Sequence, residues 1–185
     1  YENKIEINEI NKDLEKISKD LILSNSGEAV IVKTDNTKGI LLRGYKGNEF
    51  SKLKIFNNKE FKGNKEILKN NNISIGKELS FTLDLDIGDS ITLLSSVGLE
   101  TIVGNFPKQK KFTVSSIFES GLIEFDNNIA FVNLETLEEF FKLDPKKRNL
   151  EIYLKKPENI ENQKFVIQKI FKNEFIYSWA DMNKS

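Results

Sequence analysis

Clustered carboxylates are the first candidates for holding an ion or moving a proton in this 185-residue chain, because it contains neither Cys nor His. That excludes Cys/His zinc sites, thiolate nucleophiles, Ser-His-Asp triads and imidazole general bases. Two acidic clusters stand out. "DLDIGD" (Asp84, Asp86, Asp89) has the density of a calcium loop, but an EF-hand requires a ligand at its fifth position and Glu at its twelfth, where Gly88 and Ser95 stand. The segment reads as a helix end and a turn. "FESGLIEFD" supplies Glu119, Glu124 and Asp126, yet paired carboxylates do acid–base work only across a reacting bond, which spacing alone does not establish. Surface turn residues explain them. "SIGKELS" carries a Gly-Lys without the upstream glycine of a phosphate loop. No catalytic residue, metal ligand or cofactor is assigned.

One stretch asks for a partner. "TIVGNFPKQKKFTV" (Thr101–Val114) lies between two alternating segments, "SITLLS" and "FTVSSIF", where a two-residue turn would suffice to reverse the chain. It places Ile102 and Val103 at the apex, then Gly104, Asn105, Phe106 and Pro107, then lysines around Gln109. Lysines alone would protect a sheet edge. Apolar residues at an extended apex call for something to bind.

Composition narrows the partner. The 28 basic and 28 acidic side chains cancel, so a general role on nucleic acid or at a charged membrane surface lacks its basic excess. Charged residues at 30 % and hydrophobic ones at 38 % are ordinary for a globular chain. No run approaches the ~20 apolar residues of a membrane span, and no signal peptide opens the sequence. A chain that opens on Tyr1 is expected to be a piece of a longer one.

The elements that must position the hairpin fall into two groups. At the N-terminus "KIEI" alternates, Ile10, Leu14, Ile17 and Leu21 recur at helical spacing behind Asn8, and "EAVIVKT" reads as a strand pairing with "GILLRGYK". At the C-terminus "LEIYL" alternates, Pro157 opens a helix carrying Ile160, Ile167, Ile170 and Phe171, and "EFIYSW" reads as a closing strand. Two strand–helix–strand units side by side make one split α+β subdomain, expected over residues 1–45 and 148–185. Residues 46–147 form a β-rich insertion. It begins with a weakly patterned run from Lys46 to Asn72 and continues with "SIGKELSFTLDL", a helix with Ile75, Leu79 and Leu83 inward. The hairpin about 99–112, the strand "NIAFVNL" and a helix carrying Leu134, Leu137 and Phe141 follow. Trp179 reads as a core anchor.

The order "GDSITLLS…GLETIVGNFPKQKKFTVSSIFESGLIEFDNNIAFVNLETLEEFF", with "GILLRGY", "ISIGKELS" and "YSWADMNKS" around it, closely resembles the periplasmic domain of lipoprotein-releasing ABC transporter permeases of the LolC/LolE type. The resemblance implies an α+β fold of the MacB type: a split porter-like part, an inserted sabre-like part, and both termini directed at the bacterial inner membrane. It implies a non-enzymatic domain working with a LolD-type ATPase subunit and a second permease subunit on lipoprotein cargo. The partner it implies for the hairpin is the soluble chaperone LolA. By the same resemblance Ile102, Val103, Gly104, Asn105, Phe106 and Pro107 form a docking hook, and Gln109 and Lys110 a polar pad at its base. Where the family has Pro-Met at the tip this chain has Ile-Val; Asn105 and Lys110 each replace an Arg. A Lys cannot make the bidentate contacts of an Arg, so the pad contact is expected to be weaker or displaced. The alternatives are a MacB-type exporter or an FtsX-type regulator of cell-wall hydrolases, which the hairpin disfavours.

Overall fold

The computed structural model describes residues 12–34, 36–53, 61–63, 71–101, 104–172, 174–178 and 181. The chain divides into two compact units, Leu23–Asn149 and the pair of end segments Tyr1–Ile22 and Leu150–Ser185. The dividing point lies inside the first strand, well before residue 45 where the sequence placed it. The reason is pairing: the second half of that strand and the whole of the next find their neighbours in the β-rich unit.

That unit is a ring of six strands: β1 (Ser18–Lys33), β2 (Asn36–Tyr45), β4 (Asn72–Gly76), β5 (Ser90–Thr101), β6 (Gly104–Phe118) and β7 (Ile129–Asn133). β1 pairs antiparallel with β2, and β2 runs parallel to β7. β7 is antiparallel to β4, and β4 is parallel to β6. β6 is antiparallel to β5, and β5 returns antiparallel to β1. Closure removes the free edges that invite aggregation. Side chains alternate along a strand, and every strand sends two apolar residues inward: Ala29 and Ile31, Ile40 and Leu42, Ile73 and Ile75, Ile91 and Leu93, Phe112 and Val114, Ala130 and Val132. A short strand β3 (Lys62–Gly63) pairs antiparallel with β6 at Ile117 and Ser116.

Helices close and coat the ring. Leu79 and Leu83 of α3 (Lys77–Leu83) and Leu137, Phe140 and Phe141 of α5 (Leu134–Phe141) join the barrel core. On the outer face Phe131 is met by Tyr45, by Phe118 at a ring-centroid distance of 5.1 Å and by Phe50 of α2 (Gly47–Phe50) at 5.6 Å. Phe125 of α4 (Ile123–Asn128) completes that layer. Ile75 belongs to a strand, not to the helix expected over "SIGKELSFTLDL", because β4 is needed between β6 and β7; the helix begins only at Lys77.

α5 has the periodicity expected from Leu134, Leu137 and Phe141, and the structure adds a cap. Asn133 Oδ1 accepts the Thr136 N–H at 3.1 Å, satisfying one of the four orphan donors of the first turn. Asn133→Ala is expected to cost about 1 kcal/mol, read as a lower urea midpoint with an unchanged slope.

In the terminal unit α1 (Lys12–Ile17) ends sooner than expected, where the Ser18 hydroxyl donates to the Leu14 carbonyl at 2.7 Å and β1 begins, so Leu21 is a strand residue. β8 (Asn149–Leu154) is hydrogen-bonded to β1, and the Lys155 N–H extends the contact to the Ile17 carbonyl. A 3-10 turn at Pro157–Asn159 leads into α6 (Ile160–Ile170). Of the closing strand expected from "EFIYSW", the described residues 174–178 carry no strand assignment. "KIEI", Asn8, Ile10 and Trp179 lie outside the described residues. Among the described residues no helix is long and apolar enough to cross a membrane.

Candidate docking arm

The hairpin is a direct extension of two barrel strands. β5 and β6 pair from Ser90↔Thr113 out to Thr101↔Gly104, leaving only positions 102 and 103 between the last partners. Ile102 and Val103 lie outside the described residues. Gly104 has φ +130 with open space where a Cβ would stand, a backbone region that glycine enters without strain. Asn105 pairs with Glu100, Phe106 with Leu99 and Pro107 with Gly98.

The ladder breaks once. Between Leu94↔Gln109 and Gly98↔Pro107, the residues Ser95, Ser96 and Val97 of β5 face Lys108 alone. Such a bulge bends the strand and increases its twist. The Ser95 hydroxyl accepts the Val97 N–H at 2.9 Å, and Val97 packs against the barrel core. Inside the bulge the strands are barrel wall; outside it they form an arm.

Alternation along β6 sorts the candidate residues. Phe112 and Val114 point inward, and on the same face Lys108 and Lys110 reach α5. Lys108 Nζ donates to the Glu139 carbonyl at 2.7 Å and Lys110 Nζ to the Glu139 carboxylate at 3.3 Å. Gln109 and Lys111 face solvent, as does Pro107. Phe106, which follows the two lysines along their face but lies beyond α5, is 53 % exposed. The hook residues from Gly104 to Pro107 and the pad residues thus share one strand, but Lys110 is already ion-paired. Glu139 escaped sequence reading, because no local pattern links residues 29 positions apart.

The rejected clusters are structural. Asp89 Oδ2 accepts from Lys33 Nζ at 3.1 Å and from the Asp86 N–H; these hydrogen bonds hold its carboxyl below the ordinary Asp range. Asp84 is the left-handed cap of α3. Glu119 pairs with Lys77 at 3.1 Å, Glu124 binds Asn128, and Asp126 caps the turn at Ser120. Among the described residues no three carboxylates are grouped to hold a metal. Beside the arm, the end of α5 and the loop after it form a shallow groove lined by Glu135, Glu138, Glu139, Leu143 and Arg148. Arg148 is fixed by Glu138, whose hydrogen bonds raise the guanidinium pKa further. Burial raises the pKa of the nearby Glu49, against the pull of Lys46, Lys52 and Arg148.

No protein-family model matches the chain. It is 38 % identical over 106 residues, 56 % of its length and 26 % of the relative's, to the "Lipoprotein-releasing system transmembrane protein LolC" of Xylella fastidiosa (strain Temecula1). To the LolC protein of Neisseria meningitidis serogroup B it is 27 % identical over 136 residues, 72 % of this chain and 33 % of that one. The chain therefore matches about a quarter to a third of the length of these curated relatives. The periplasmic region of MacB from Actinobacillus actinomycetemcomitans superposes with a TM-score of 0.54, at 10 % identity over 87 % of this chain and 70 % of that one. The extracellular domain of the noncanonic ABC-type transporter YknZ gives 0.51, at 10 % identity over 88 % of this chain and 82 % of that one. The chain is homologous to a segment of LolC proteins and has the α+β fold of the MacB and YknZ domains.

Proposed function

We propose that this chain is the periplasmic domain of a bacterial inner-membrane ABC permease that releases lipoproteins and passes them to a LolA-type chaperone, which it docks through the arm. The relatives' names speak for the transport system, and the MacB and YknZ regions for the periplasmic or extracellular side. The observation that carries the docking reading is the arm itself. It runs past the bulge as a bare two-stranded ladder and presents Phe106 to solvent. In this reading Ile102, Val103 and Phe106 supply the apolar contact, Gln109 and Lys110 the polar one, and ATP is hydrolysed on a separate subunit.

A titration of this domain against the purified LolA-type chaperone of the same cell tests it. Saturable binding is expected. A two-stranded arm with few core contacts belongs to the least protected part of a domain, so amide exchange across residues 104–111 should be fast in the free domain and slow in the complex. Absence of binding, or exchange that is the same in both states, overturns docking through the arm.

A further inference from the structure

A single residue, Glu139, ties the base of the arm to α5, using two different groups. Its carbonyl, in the last turn of the helix, takes Lys108, and its carboxylate takes Lys110. The two lysines are two apart on β6 and so on one strand face. Lys108 stands opposite the bulge, where the ladder no longer dictates the direction of the strands. We infer that Glu139 is the positioning residue of the arm, and that its carboxylate competes with the acidic group of a docking partner for Lys110. The second half rests on the proposed docking.

The two bonds differ in kind. The carbonyl is one of the last four of a helix, short of intrahelical donors and at the negative end of the helix dipole, so it attracts a cation whatever the side chain does. The Lys142 N–H also approaches it, but only at 3.4 Å. Lys108 is therefore a fixed strut. The ion pair is a looser contact. Lys110 is 20 % exposed at its side chain and Glu139 71 %, so the lysine is half sunk against α5 while the carboxylate stays in water. An exposed carboxylate is screened by salt and holds its partner weakly. A carboxylate brought by a docking protein can take its place on Lys110, with Glu139 returned to solvent. Until then the negative charge of Glu139 stands beside the cation that the partner must reach, and like charges slow encounter.

Substitutions separate the roles, because Glu139→Gln removes the charge and keeps the carbonyl. With the same purified chaperone as probe, Glu139→Gln is expected to bind about two- to fivefold tighter at low salt, mainly through a faster on-rate. The gain should shrink at high salt and vanish when Lys110→Gln is added. Lys108→Gln should leave the melting temperature within a degree or two, yet speed amide exchange at residues 106–111 of the free domain at least threefold. Parental affinity in Glu139→Gln, with the parent binding normally, overturns the competition and leaves docking intact. A parent that does not bind overturns both. Unchanged exchange in Lys108→Gln overturns the positioning role by itself.

Discussion

Replacing Glu138 with alanine is expected to lower the unfolding free energy by about 3–5 kcal/mol, the cost of stripping one partner from a buried ion pair. Arg148 Nε donates to Glu138 Oε1 at 2.6 Å and Nη2 to Oε2 at 2.7 Å, a two-bond fork matched to the plane of the carboxylate. The Arg148 and Glu138 side chains are 17 % and 4 % exposed, so both charges are largely withdrawn from water in the pair. The same burial makes the intact pair a poor stabiliser, because both charges were desolvated to form it. A double replacement, Glu138→Met with Arg148→Met, should therefore recover most of the loss. Urea unfolding of the three variants reads the asymmetry. A drop below about 1 kcal/mol for Glu138→Ala, the range of exposed pairs, would show that the pair is solvated and does not hold the loop after α5.

Much of this framework was legible because apolar period reports which face of an element is buried. Leu134, Leu137 and Phe141 announced α5, and "VIVKT" against "GILLRGY" announced the β1–β2 hairpin. Period does not report partners, so nothing local revealed that six strands close into a ring. It also misled at the start of the chain. Leu14, Ile17 and Leu21 fit a helix, and the strand is expected only from "EAVIVKT", after the polar run "SNSG". Those polar residues instead lie inside β1, where Asn25 pairs with Gly44 and Gly27 with Leu42. Gly27 is demanded by space: a Cβ there would stand 2.7 Å from the ring of Phe141. Moving the strand start to Ser18 in turn moved the boundary between the units. The arm was visible in the sequence as an excess of chain between two strands, but its latch was not. Whether a lysine is free or held depends on a helix that follows about thirty residues later.

Val103→Glu is expected to weaken chaperone binding by on the order of a hundredfold or more while leaving the domain's melting temperature unchanged. Burying one such aliphatic side chain contributes roughly 1.5–3 kcal/mol, and each ~1.4 kcal/mol is a tenfold change in affinity. On the proposed docking, a glutamate brought into the apolar contact with the chaperone adds the cost of desolvating a charge. The loss should fall mainly on the off-rate, since an apex that no longer inserts does not change how the partners meet. Stability should not follow, because the ladder closes at Thr101↔Gly104, with the barrel core beyond the bulge at Leu94. This profile is the reverse of that expected for Glu139→Gln, which tightens binding through the on-rate and depends on salt. If the proposed docking holds, the apex should set how long the complex lives, and the base how readily it forms. Surface plasmon resonance at two salt concentrations, with thermal melts alongside, separates them. A folded Val103→Glu domain that binds like its parent would place the docking contact elsewhere than at the apex.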